Sequence, residues 1–158
     1  NTIQGWMPMN NPLRGGDLRL GRRSIPKQAY LITTCTAQRR QYFNNFWIGR
    51  GVVTALREVE TATTLAFVVM PDHLHWLMVL HDNTSLSRTV QFLKTRSARN
   101  VNHLLACSAG VWQRGFHDHA LRRDEDVVAA ARYVVANPLR AGLVENIGQY
   151  SLWDAIYL

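Results

Sequence analysis

The sequence predicts an α+β fold, a ferredoxin-like antiparallel sheet with helices on one face, followed by a late helix that bears Tyr133. Apolar runs rich in β-formers alternate with helix-period segments in the order β-α-β-β-α-β. Two of the runs are separated only by Pro71-Asp72, which makes a tight antiparallel hairpin the simplest reading.

Residues 1–28 carry Arg14, Arg19, Arg22, Arg23 and Lys27 against Asp17 alone and lack periodicity, which reads as a flexible basic arm ahead of a single domain at 29–158. The first strand is Ala29–Thr36 (AYLITTCT). From Phe46 to about Thr61, Ile48, Val52, Ala55, Leu56 and Val59 recur at helical spacing. The hairpin strands are Thr64–Met70 and His73–His81. A second helix runs from near Ser85 to about Ala106, with Leu86, Val90, Leu93, Val101, Leu104 and Leu105 as its apolar stripe. Short strands are expected at Val111–Gln113 and His117–Arg122 around the Arg114-Gly115 turn. Asp124, Glu125 and Asp126 open a third helix, where carboxylates oppose the dipole. Pro138 ends that helix near Ala136 or Asn137 by restricting the residue before it. The apolar tail residues Leu152, Trp153, Ile156 and Tyr157 are expected to pack back on the domain.

With 158 residues and 47% hydrophobic content, the chain has material for one sizeable core. Its 18 Lys+Arg against 11 Asp+Glu leave a formal charge of +7, which favours a polyanionic partner such as nucleic acid, although an anionic membrane would share that attraction. Cys35 and Cys107 stand outside any metal-ligand spacing, which suits a reducing cytoplasm. No apolar run is long enough to span a bilayer, so no membrane partner is expected.

The chemistry centres on Pro71-Asp72-His73-Leu74-His75. Two histidines two positions apart on a strand project from one face and can share one cation, leaving Leu74, Trp76, Met78 and Leu80 for the other face. Taken alone, such a pair also fits two ordinary hydrogen-bonded histidines, and two imidazoles make an incomplete metal site. On the third helix Tyr133 and Asn137 are i and i+4, so they share a face with Ala130 and Asp126. A phenol with an amide oxygen one turn later can place a nucleophile beside a third ligand, a pairing suited to phosphodiester attack. Spacing leaves open the alternative of a half-buried tyrosine that merely packs its ring. His117 and His119 form a second pair, read as structural or supporting, and His81 and His103 are expected at the surface.

His73-Leu74-His75 within VVMPDHLHWLMVL, Leu93-Lys94-Thr95 followed by Ser97, Trp112-Gln113-Arg114-Gly115-Phe116, and the run Tyr133 to Val144 (YVVANPLRAGLV) together resemble the REP-associated tyrosine transposases, relatives of the single-tyrosine HUH transposases of bacterial insertion sequences. The resemblance spans roughly Ala29 to Val144 and makes 29–158 a HUH-type catalytic domain. It implies that His73, His75 and Asn137 hold Mg²⁺ or Mn²⁺, that many relatives carry glutamine where Asn137 stands, and that Tyr133 forms a 5′-phosphotyrosine and frees a 3′-hydroxyl. Imidazole ligands favour Mn²⁺ over Mg²⁺. The implied substrates are repetitive extragenic palindromes, imperfect DNA hairpins with a short tetranucleotide beside the stem.

A single-strand reader needs cations for phosphates and flat side chains for bases. Candidates are Arg22 and Arg23 in the arm, Lys94, Arg96 and Arg99 along the second helix, Trp112, Gln113 and Arg114, and Arg140 of the tyrosine motif. The expected activity is that of a structure-specific single-stranded DNA endonuclease and strand transferase of the bacterial cytoplasm and nucleoid. The alternatives are a non-catalytic single-strand-binding module and a metal-dependent nuclease that uses water. Insertion-sequence relatives act as dimers with exchanged tyrosine helices. This short chain favours a monomer with the helix acting in cis.

Overall fold

The computed structural model describes residues 28–108, 110–122 and 127–156. The basic arm up to Lys27, including Arg22 and Arg23, and the acidic helix start at Asp124–Asp126 lie outside the described residues. Five strands make one antiparallel sheet in the order β4-β1-β3-β2-β5, with β1 at Ala29–Cys35, β2 at Ala62–Met70, β3 at His73–Leu80, β4 at His117–Ala120 and β5 at Trp153–Ala155. The expected α+β architecture is therefore present.

Helix α1 (Phe46–Arg57) begins where the Asn45 side chain accepts the amides of Trp47 and Ile48. It stops short of the expected Thr61: Glu58 and Val59 close the last turn by donating to Ala55 and Leu56, and Ala62 already pairs with Leu80 in the sheet. Helix α2 (Leu86–Leu105) is capped by Ser85 and ends at Ala106 in the left-handed region, close to the expected bounds. The two helices cross closely at Gly51, where an added Cβ would lie 3.2 Å from Asn100 Cβ.

One expectation needs correction. The strand expected at Val111–Gln113 is reduced to a single bridge between Thr36 and Trp112, because Lys94 Nζ, not a neighbouring strand, takes the carbonyls of Gln113 and Gly115. The third helix, α3 (Val127–Val135), ends within a residue of the expected Ala136, and the chain then starts a new helical turn, α4 (Asn137–Arg140), with Pro138 in its first turn. Pro138 has no amide to give Val134, so the Asn137 side-chain nitrogen donates to that carbonyl instead, at 2.9 Å.

Strand alternation divides the core between two faces. Tyr30, Ile32, Leu74, Trp76, Met78, Phe67 and Val69 face α1 and α2, while Leu31, Leu77, Ala66, Val68 and Met70 face Ala130, Ala131, Val134 and Val135 of α3. Helices thus cover both faces, with the late helix alone on the second. The tail returns as β5 beside β2, held by Val69 N donating to Leu152 O and by the Tyr150 hydroxyl donating to Val69 O.

Candidate active site

The β2–β3 hairpin fixes both histidines. In the ladder His73 stands opposite Cys35 and Met70, and His75 opposite Thr33 and Val68. Val68 and Met70 belong to the core cluster under α3, so both imidazoles point to the face that this helix covers. Their rings meet edge to face, centroids 4.7 Å apart.

Each ring is held through its Nδ1. His73 Nδ1 lies 2.6 Å from Asp72 Oδ1, and Arg39 Nε donates to the other oxygen of that carboxylate at 2.9 Å. His75 Nδ1 lies 2.9 Å from Thr33 Oγ1. An ionised carboxylate can only accept, so His73 Nδ1 carries the proton and its Nε2 keeps a lone pair. The same tautomer at His75, with Thr33 accepting, makes Nε2 the acceptor atom of that ring too. Burial pushes both imidazoles below their ordinary value, His75 well below. Both are therefore neutral near pH 7, the form that binds metal. The Arg39 guanidinium and His73 hold Asp72 below the usual carboxylate range against the opposing effect of burial, which is the largest single influence on it.

The α3–α4 junction supplies the other half. Asn137 is 0% exposed, and its Nδ2 donates to the carbonyls of Val134 and, at 3.3 Å, Tyr133. Carbonyl partners fix the amide's orientation, because only its nitrogen can donate to them. Asn137 Oδ1 is buried without a hydrogen-bond partner among the described residues. A buried acceptor left in this way costs about 1–3 kcal/mol unless something outside the chain completes it. Among the described residues no group of three or more His, Cys, Asp and Glu side chains is placed to hold a metal. An amide oxygen is a donor type outside that group, and Asn137 Oδ1 has the acceptor capacity that a ligand needs.

Tyr133 is partly buried, with its hydroxyl oxygen inside. Arg140 lies over its ring, guanidinium carbon 3.9 Å from the centroid, and donates to the Tyr133 carbonyl at 2.7 Å. Burial raises the phenol above its ordinary value and Arg140 acts against that rise. The same guanidinium also disfavours the charged form of His75, which ties the tyrosine turn electrostatically to the histidine pair.

The remaining candidates divide. Trp112 donates from Nε1 to Ser97 Oγ and packs on Phe43, while Gln113 N bonds the carbonyl of Cys35, the residue opposite His73. Gln113 and Arg114 are exposed beside that end of the sheet. Lys94, Arg96 and Arg99 do not make one track: Lys94 pins the 113–115 loop, Arg96 pairs with Glu58 and lies over Phe92, and Arg99 lines a groove beside Trp47. In the second pair His119 is buried and His117 exposed, both separated from β3 by β1; His81 and His103 are exposed as expected. Sequence reasoning missed Thr33 as a partner of His75 and Arg39 as a partner of Asp72. Only Asp72, adjacent to His73, was signalled by position.

The sequence profile of the IS200-like transposases matches residues 24–137. A Haemophilus influenzae protein bearing the provisional name REP-associated tyrosine transposase is 30% identical over 142 residues, covering 80% of this chain and 79% of that one. The chain belongs to the REP-associated tyrosine transposases of the IS200-like family. An Escherichia coli REP-associated tyrosine transposase is likewise 30% identical, over 88 residues, with 54% of this chain and 49% of that one covered. A solved REP-associated tyrosine transposase bound to a REP hairpin shares the fold, with a TM-score of 0.66 at 21% identity over 84% of this chain and 79% of that one. Among the described residues of this REP-associated tyrosine transposase, no helix is long and apolar enough to cross a membrane.

Proposed function

We propose that this transposase nicks and rejoins single-stranded DNA at REP-type hairpins, with Tyr133 as nucleophile and His73, His75 and Asn137 as the ligands of one divalent ion, Mg²⁺ or Mn²⁺. The observation that carries this reading is the orphaned Asn137 Oδ1, buried one turn after Tyr133, just beyond the helix α3 that packs on the histidine-bearing face of the sheet. A related transposase solved with a REP hairpin supports the substrate.

The phenol oxygen attacks phosphorus, a P–O bond to Tyr133 forms, and the P–O3′ bond breaks. The phenol proton leaves as the new bond forms, and the departing oxygen gains a proton to become a 3′-hydroxyl. In the reverse sense a 3′-hydroxyl attacks the phosphotyrosine, restores the diester and returns the phenol, so no external energy source is needed. Because Tyr133 is neutral near pH 7, Arg140 over its ring favours the negative charge that develops there. Asp72 and Thr33 hold the two imidazoles through Nδ1, the arrangement in which Nε2 is the ring atom that would bind a metal. A divalent ion, when bound, supplies a positive charge to a non-bridging phosphate oxygen. Gln113 and Arg114 lie where they could contact the strand near His73, and Arg140 serves both tyrosine and phosphate.

We read the working unit as a monomer acting in cis in the bacterial cytoplasm, at the nucleoid. The test is a denaturing gel of labelled REP hairpin with Mn²⁺. Covalent chemistry leaves DNA attached to protein and Tyr133→Phe removes the adduct. A cut without adduct favours a water-using nuclease, and binding without a cut favours a non-catalytic module.

A further inference from the structure

Trp47 is 70% exposed, unusual for the largest apolar side chain. It is nonetheless held in place: its backbone amide is fixed by the Asn45 cap, and the Phe46 ring meets it edge-on at 5.1 Å. Beside it, between α1 and α2, runs a groove of about 480 Å³ lined by Trp47, Arg50, Thr54, Arg99, Asn100 and His103 among others. Its floor is the close approach of Gly51 to Asn100, whose amide donates to the Gly51 carbonyl at 2.9 Å.

No carboxylate lines this groove among the described residues, while two guanidiniums and an imidazole do. Next along the helices, Glu58 is neutralised by Arg96. An exposed indole flanked by cations is the arrangement that stacks a base while its phosphates are held. The exposed apolar side chains here, Phe46, Trp47 and Leu104, are interrupted by Arg50, Arg99 and His103, so a membrane or an apolar protein face would have to desolvate those polar groups, whereas a polynucleotide offers bases to the rings and phosphates to the guanidiniums. Helices α1 and α2 cover the sheet face opposite the one that bears His73 and His75. A strand on this groove is therefore remote from the nicking site.

We propose that the α1–α2 groove is a second nucleic-acid site, which takes an unpaired segment of polynucleotide by stacking a base on Trp47 and holding its phosphates with Arg50 and Arg99. The assignment does not depend on the catalytic reading, since Tyr133 and the histidines play no part in it.

The test measures anisotropy of labelled twenty-residue oligo-dT and oligo-U with the full chain. Trp47→Ala is expected to weaken binding about tenfold or more, Trp47→Phe to restore most of it, and Arg99→Gln to reduce both affinity and its salt dependence. Preference between the two oligomers tells whether DNA or RNA is the natural strand. Thermal unfolding confirms that the exposed Trp47 can be removed without loss of fold. Unchanged affinity in Trp47→Ala overturns the proposal, as does a dimer that this substitution dissociates while oligonucleotide binding stays intact. Hairpin nicking by Trp47→Ala separates the two claims, because loss of groove binding leaves adduct formation on a minimal hairpin in place.

Discussion

His75 Nδ1 sits 2.9 Å from Thr33 Oγ1 across the β1–β3 ladder, a bond made entirely within the sheet and shielded from water. It orients an imidazole that otherwise has freedom about χ2. Thr33→Val keeps the volume and removes the oxygen. Mn²⁺ affinity should fall about 10- to 100-fold, the usual cost of losing such an orienting partner. Titration calorimetry of wild type and variant checks this, and equal affinities would argue against a ligand role for His75.

Asn137 links the helix break to the proposed ion. Asn137→Ala loses the donor to Val134 O and exchanges one orphaned acceptor for another, so the metal-free fold should weaken by only about 1–2 kcal/mol. Ion binding should suffer far more. At a hundredfold excess over Kd, Mn²⁺ stabilises a one-site protein by about 2.7 kcal/mol. Thermal melts with and without Mn²⁺ should show that increment in wild type and little of it in the variant.

The two buried imidazoles make stability depend on pH. Their folded values lie below the ordinary value of about 6.5, first because of burial, so between those values the unfolded chain binds more protons. Stability must therefore rise with pH across that window and be lost as acid is added below about pH 6.5. Asp72, held below the usual carboxylate range, titrates too low to mask the effect. Urea unfolding of the metal-free protein at several pH values between 5 and 7.5 should show the loss, and His75→Gln should flatten it.

Arg140 opposes the rise that burial imposes on the Tyr133 phenol. Without that guanidinium the phenol should become still harder to ionise. Arg140→Gln should slow nicking and move the alkaline limb of its pH–rate profile upward, while Arg140→Lys recovers part of the rate. A lower rate with an unshifted profile would confine Arg140 to its bond with the Tyr133 carbonyl.

Much of this was legible from local signals. The Pro71-Asp72 turn fixed the hairpin, strand alternation put His73 and His75 on one face, and the periodic segments starting at Phe46 and near Ser85 are the helices that the structure shows. What escaped depends on pairing between distant segments. Thr33 is 42 residues from His75 and becomes its partner only once β1 is known to lie beside β3 in that register. The split of Lys94, Arg96 and Arg99 follows from what packs around α2: the 113–115 loop, Glu58 and α1 each claim one of the three. The junction at Asn137 was half legible. Pro138 announces a break, but the restart of the helix rests on side-chain nitrogens that satisfy the carbonyls of Tyr133 and Val134.

The most direct measurement is mass spectrometry of the protein after reaction with a REP hairpin and Mn²⁺, followed by proteolysis. The phosphoryl group should be found on the peptide containing Tyr133, joined to the 5′ end of the downstream DNA fragment. A nucleotide on any other residue, or cleaved DNA with every peptide unmodified, would contradict the assignment of Tyr133 as nucleophile.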